Sequence, residues 1–472
     1  MSFTSVTFIF YFFPVFLALY LLAITTALRN LLLLVASLIF YAWGDLQYLP
    51  LLCLSVAVNY AIGRWMTVAR NRRSALWLGI GLNLASLIVF KYAGFLLQAA
   101  DPVRVWLDWP LMEFKTQLPI GISFYTFKAI SYLVDIYRKD TPAERDALTF
   151  ATYLTMFPQI LAGPIERMAD GTKELHGRSI TLEKFRLGVD CFIVGIAQKL
   201  LLANTLAGTA DRAFTTPAAD LSADVAWLGL IAYTLQIYFD FAGYTNMAIG
   251  LGHMMGFTFP RNFNYPYAAK SVTDFWQRWH ITLSTWLRDY VWYPLGANRR
   301  GASRTYLNLL IVFGLCGLWH GANYTFLLWG LFHGAVMGIE RAWLLARLKR
   351  HSNAATVYAV FMVMLGWVLF RSESLPRAMG FFAAMAGAGA ASSDLSAVLQ
   401  SLSPDVLAAL VLGGLFASPW PARGWDRVHS GITGWKDVSL RAASIAVMLA
   451  IFLVSLMVLA EGSHNPFLYF RF

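Results

Sequence analysis

The sequence predicts an all-α, polytopic membrane protein, on three observations. Hydrophobic residues make up 58% of the 472 positions and charged residues 13%, about half the charged share of a soluble domain. The mean hydropathy is +0.56. Long apolar runs recur from end to end, at 31–42, 76–90, 227–239, 357–370 and 442–459. A membrane-spanning helix takes about 20 mostly apolar residues, so roughly ten to twelve passes fit.

In chain order, MSFTSVTFIFYFFPVFLALYLL comes first. It lacks the basic start and small-residue cleavage site of a signal peptide, which predicts a retained first membrane helix. Arg64, Arg70, Arg72 and Arg73 form one basic loop, and Arg138 with Lys139 another. Basic loops stay on the cytoplasmic side, and 101–115 between them is charge-balanced, so the N-terminus is expected outside. The net charge of +11, which in a soluble protein would suggest nucleic acid, is read here as topology, and no nucleic-acid partner is expected. Cys53, Cys191 and Cys316 offer neither a disulfide framework nor a metal-ligand spacing.

No linker or internal repeat divides the chain, so one membrane domain over 1–472 is expected. Three regions depart from plain spanning helices. LPIGISFYTFKAISYLVDIYRK, 118–139, ends in the second basic loop. FATYLTMFPQILAGPIER, 150–167, is apolar but broken by Pro158, Gly163 and Pro164, which predicts a re-entrant segment buried in protein. Residues 256–301 are too polar to span. Beyond Phe370 the pattern leaves topology open, because 379–391 is rich in small residues and short for a span.

In and just after 256–301, Arg261, Lys270, Arg278, Arg288, Arg299, Arg300 and Arg304 outnumber Asp274 and Asp289, which places the region on the cytoplasmic side. Trp276, Trp279, Leu283, Trp286, Leu287 and Tyr290 recur at helical spacing. That stripe predicts an interfacial helix with its indoles at headgroup depth. It leaves His280, among the tryptophans, without a reason.

The following span, TYLNLLIVFGLCGLWHGANYTFLLWGLFHGAVMGIERAW, carries His320 well inside apolar sequence. An ionisable residue at membrane depth is rare and points to function. Desolvation favours the neutral imidazole, the form a general base requires. The competing reading is a histidine that hydrogen-bonds a neighbouring helix. His333 shares the stretch and ranks below His320. His176, His351, His429 and His464 fall in polar sequence and are expected in solvent.

On WLGLIAYTLQIYFDFAGYTNMAIGLG, 227–252, Tyr233, Gln236, Asp240 and Tyr244 fall three or four apart and share a helix face. Such a stripe faces protein or a watery cavity. Asp240 could orient a histidine, pair with an arginine, or hold helices together. Gly243, Gly250 and Gly252 suit close packing. No GxxxxGK[ST], GxSxG, HExxH or CxxC pattern occurs, and threonine stands five residues after both His280 and His320 where an H-x₄-D acyltransferase would have aspartate. No metal is expected.

YTLQIYFDFAGYTNMAIGLG, NFNYPYAAKSVTDFWQRWHITLSTWLRDYVWYPLG and GLWHGANYTFLLWGLFHG strongly resemble the membrane-bound O-acyltransferase family. PIGISFYTFKAISYLVDIYR, FPQILAGPIER, GWVLFRSES and FLYFRF extend the resemblance over nearly the whole chain. The similarity is greatest to the bacterial branch concerned with alginate O-acetylation and, more distantly, with teichoic acid D-alanylation. His253 in GLGHMMGF departs from the pattern and is left unassigned.

The resemblance implies helices ringed around a central funnel, with re-entrant and interfacial helices. It implies that His320 is catalytic, with His280 close by. The acyl donor would be a cytoplasmic thioester, acetyl-CoA or an acyl carrier, with no bound cofactor. Trp319 would exclude water; Asp240, Tyr244 and Asn323 would line the funnel; Arg278 and Arg288 would meet a phosphate-bearing carrier. The expected setting is a bacterial inner membrane, in contact with lipids and with a periplasmic acetyltransferase- or esterase-like partner that acetylates an exported polysaccharide. The alternatives are D-alanyl or other acyl transfer to an envelope polymer, a proton-coupled transporter using His320 and Asp240, and a structural scaffold.

Overall fold

The computed structural model describes residues 1–106, 117–348, 350–391, 400, 402–429 and 435–462. His464 and FLYFRF lie outside them, as does most of the 101–115 loop. The described residues are helical, without a strand; one isolated bridge joins Ser222 to Ala390. They group into two compact units, 1–192 with 247–260, and 193–246 with 261–472.

The first unit holds α1 (Phe13–Leu22), α2 (Thr26–Asp45), α3 (Leu49–Val68), α4 (Arg72–Leu87), α5 (Ala93–Trp106), α6 (Ile122–Arg138), α7 (Ala147–Thr155), α8 (Phe157–Ile160) and α9 (Met168–His176). Local chemistry starts several of them. The Thr25 hydroxyl accepts from the Leu28 amide to open α2, and the Asp146 carboxylate accepts from Leu148 and Thr149 to open α7. Proline stands in the first turn of α1 and α3, where its missing N–H costs nothing.

The helix α10 (Leu182–Ala197) begins in the first unit and α12 (Ala223–Met254) ends in it. The second unit also holds α11 (Asn204–Thr215), α13 (Val272–Arg278), α14 (Ile281–Leu287), α15 (Ala302–His320), α16 (Tyr324–Ile339), α17 (Leu345–Leu348), α18 (Ser352–Arg371), α19 (Leu375–Met385), α20 (Pro404–Phe416), α21 (Trp420–His429) and α22 (Trp435–Ala460).

Seven helical stretches among the described residues are long and apolar enough to cross a membrane: Thr26–Val68, Arg72–Asp101, Leu182–Thr215, Ala223–Met254, Ala302–His320, Ser352–Arg371 and Ser439–Ala460. The first contains both α2 and α3, each 20 residues long. Thr7–Leu22 and Pro404–Phe416 are shorter apolar helices. Counted together, these reach the lower end of the expected number of passes. Their surfaces are those of a lipid-embedded protein: 6% of the apolar window of Ser439–Ala460 is buried, and Leu22, Val68, Val357 and Met457 are exposed.

The broken segment 150–167 is buried almost throughout, and side chains satisfy its irregular backbone. The Lys128 ammonium donates to the Tyr153 carbonyl (2.5 Å) and to Gln159 Oε1 (2.7 Å). Gln159 Nε2 donates to Glu166 Oε2 (2.8 Å), and the Tyr153 hydroxyl to the Glu166 carbonyl (3.0 Å). Exposed to hydrocarbon, such a backbone would leave costly unpaired groups.

The stretch 275–296 differs from the expected interfacial helix in two ways. It breaks at Trp279–His280, between α13 and α14, and then continues as a π-turn from Arg288 to Trp292. Its indoles also point into protein: Trp276, Trp279 and Trp286 are 5%, 1% and 6% exposed. Trp276 packs on Phe313 and Trp329, and Trp279 on Tyr238 and Trp367, all on other helices of the second unit.

Candidate active site

Helices α15 and α16 frame the site. Glycines let them touch: a Cβ on Gly317 would stand 2.1 Å from the Phe326 carbonyl oxygen, and one on Gly330 2.1 Å from that of Phe313. Both contacts are impossible for a larger residue, so the two backbones meet as closely as glycine allows. The turn between the helices follows His320. Asn323 opens α16, accepting from the Thr325 amide (3.1 Å) and donating to the Glu373 carbonyl (3.0 Å). It is the N-cap that closes this hairpin.

This hairpin buries His320, which is 3% exposed. Its ring stands edge-to-face against Trp329 (centroids 5.0 Å apart, 87°) and Phe370 (5.2 Å, 75°), with Trp319 at 4.9 Å. Trp319 also faces His280 at 5.9 Å, and Trp329 faces His333 at 5.2 Å. The second unit therefore strings three buried histidines on two tryptophans, in the order His280, Trp319, His320, Trp329, His333. Trp276 of α13 closes the far end, 5.6 Å from Trp329 and 5.4 Å from His333.

His280 sits at the break between α13 and α14 with φ 44° and ψ 55°, a left-handed conformation uncommon outside glycine. The segment 262–264 clamps it in place. The Ile281 amide donates to the Asn262 carbonyl (3.0 Å), and the Asn264 amide to the Arg278 carbonyl (2.9 Å). Asn262 Oδ1 lies 3.1 Å from His280 Nδ1 and accepts from the Thr282 amide (3.2 Å). Phe241 of α12 covers the ring edge-on at 4.7 Å. Burial lowers the His280 pKa to about 3, so the imidazole is neutral at physiological pH.

Two further groups that the sequence pattern did not single out support this arrangement. Glu340, fully buried at the end of α16, accepts from the Val272 amide (2.6 Å), the Thr273 amide (2.9 Å) and the Thr273 hydroxyl (2.6 Å). With Ser271 accepting from the Asp274 amide, the first turn of α13 is capped from its own chain and from α16. Lys199 stands in the π-turn Gln198–Ala203, its ammonium 2.5 Å from Asp240 Oδ1. Both groups of that ion pair are buried. Asp240 thus pairs with a lysine on a neighbouring helix, and Gln198 with Asn246 beside it (2.8 Å). A charged residue inside the apolar run IAQKLLLA was the available signal for Lys199.

Tyr244 is buried on the same face of α12 as Asp240. Arg278 and Arg288 make local ion pairs, with Asp274 (2.7 Å) and Asp289 (2.8 Å). In the first unit His253 Nδ1 lies 3.1 Å from the Phe257 carbonyl and closes the turn after α12. His176 is half-exposed beside Glu144 (2.9 Å). Among the described residues no group of three His, Cys, Asp or Glu side chains could hold a metal ion.

The sequence profile of the membrane-bound O-acyltransferase family matches residues 9–375. The chain belongs to this family. As a member it is an acyltransferase and a multi-pass membrane protein. Its relatives include a probable alginate O-acetylase of Pseudomonas putida, 42% identical with all of both chains covered. A peptidoglycan O-acetyltransferase of Helicobacter pylori is 35% identical over 82% of this chain and 80% of its own. A teichoic acid D-alanyltransferase of Bacillus subtilis is 29% identical over 52% of this chain and 67% of its own. The RWH and LWHG motifs of this family member supply His280 and His320, the two histidines on either side of Trp319.

Proposed function

We propose that this acyltransferase moves acetyl groups from a cytoplasmic thioester, acetyl-CoA or an acyl carrier, across a bacterial inner membrane for O-acetylation of an exported polysaccharide. The observation that carries the reading is the enclosure of His320 by Trp319, Trp329 and Phe370 at the end of α15. A neutral imidazole there accepts the proton of a hydroxyl as its oxygen attacks the thioester carbonyl. The new C–O bond forms, the C–S bond breaks, and the proton passes to the departing sulfur, which leaves as a thiol. The surrounding aromatic rings keep out water that would hydrolyse the donor.

His280 assists beside the donor. Arg278 and Arg288 meet a phosphate on its carrier, a role that predicts a raised KM for the donor when both are changed to Gln. Tyr244 lines the path, while Asp240, held by Lys199, cross-links helices. The acetyl group passes to a periplasmic acetyltransferase- or esterase-like partner. The full-length similarity to alginate O-acetylases, against the half-length match to a D-alanyltransferase, favours acetyl over D-alanyl transfer.

The test is the O-acetyl content of exported polysaccharide in a deletion strain complemented with wild type or His320→Asn at matched membrane levels. Loss of acetyl groups with His320→Asn supports the proposal. Full acetylation makes His320 structural and removes the mechanism.

A further inference from the structure

Resting on the reading of His280 as part of the acyl-transfer site, we infer that Asn262 is a positioning residue that holds His280 in one tautomer, with Nδ1 protonated and Nε2 as the basic nitrogen. The Thr282 amide points at one end of the Asn262 side chain, 3.2 Å away. An N–H can only donate, so that end of the Asn262 amide is its oxygen and not its nitrogen. The Thr282 hydroxyl reaches the same atom at 3.0 Å.

His280 Nδ1 lies 3.1 Å from this oxygen, and both side chains are buried. An amide oxygen accepts and does not donate, so Nδ1 must carry the proton. A neutral ring then bears its lone pair on Nε2. Proton exchange with a reacting group is confined to that nitrogen: Nε2 relays to the leaving sulfur the proton that His320 takes from the attacking hydroxyl, and Nδ1–H stays on Asn262 throughout.

The backbone is built to keep this geometry. The Asn262 carbonyl accepts from Ile281, the residue after His280, so one asparagine grips the strained position through its main chain and its side chain. A left-handed non-glycine residue persists only where its surroundings over-determine it. His280 meets that condition through Asn262, 18 positions earlier in the chain.

The experiment measures kcat and KM for a radiolabelled acetyl thioester in membrane vesicles containing the full chain at matched levels. The variants are Asn262→Ala, Asn262→Asp and His280→Ala, each with its thermal midpoint in detergent. Asn262→Ala should lower kcat about 10- to 100-fold, the range known for the orienting partners of metal-bound histidines, with KM within about twofold of wild type. Asn262→Asp, which keeps an oxygen facing Nδ1, should recover most of the loss. Wild-type kcat in Asn262→Ala, with His280→Ala inactive, overturns the inference and leaves His280 in the site. Wild-type turnover in His280→Ala overturns the underlying reading. If Asn262→Ala does not fold, Asn262→Asp decides: folded and active supports the tautomer lock, folded and as inactive as His280→Ala refutes it.

Discussion

The imidazole of His320 stands perpendicular to the indole of Trp329, ring centroids 5.0 Å apart at 87°. One residue ends α15 and the other lies in α16, and the Gly317–Gly330 contact brings the two helices close enough for the rings to meet. The perpendicular packing restricts the imidazole plane.

Trp329→Ala should therefore lower thermal stability and divert the reaction. Removing a buried indole costs about 3–5 kcal/mol, and the opened space admits water to the donor. The ratio of hydrolysed to transferred acetyl thioester should rise, while Trp329→Phe should keep it near wild type. An unchanged ratio in a folded Trp329→Ala protein would argue against water exclusion.

Gly330→Val should abolish the folded state. Its side chain meets the Phe313 carbonyl, which cannot rotate away, and overpacking a well-packed interior against flexible groups already costs ~1–3 kcal/mol. Gly414→Val, on a glycine with open space beside it, serves as the control. Size-exclusion profiles in detergent separate the two.

The Lys199–Asp240 pair yields a double-variant test. Lys199→Met strands a buried carboxylate and should cost about 3–5 kcal/mol, whereas Lys199→Met with Asp240→Leu should recover much of it. The account has this pair cross-link helices, so the double variant keeps transfer activity. Abolished activity in a stable double variant would mean that the pair moves protons or contacts substrate.

Glu340→Ala leaves the Val272 and Thr273 amides without their acceptor, at about 1–3 kcal/mol for each buried donor. The first turn of α13 should fray, and proteolysis near 270 should quicken before the rest of the protein melts. Unaltered cleavage there would show that the Ser271 cap suffices.

Composition and apolar runs made the helical membrane fold legible, because hydrocarbon admits few other structures. His320 was legible for the same reason: a histidine in an apolar helix stands out. The break at His280 was not, since Trp276, Trp279, Leu283 and Leu287 keep helical spacing straight across it, and no periodicity encodes a left-handed residue. An amphipathic stripe also reads alike whether it meets headgroups or protein, which is why the buried tryptophans of 275–296 were expected at the membrane surface. Asn262, Glu340 and Lys199 act on partners 18, 68 and 41 positions away. Nothing local in the sequence marks such pairings.

The most direct measurement is the initial rate of acetyl transfer from a radiolabelled thioester to a hydroxyl acceptor, in vesicles carrying equal amounts of wild type or His320→Asn. General-base catalysis is worth about 10²–10⁴-fold, and the account predicts a loss of that size with the fold retained. Transfer by His320→Asn at the wild-type rate would contradict it.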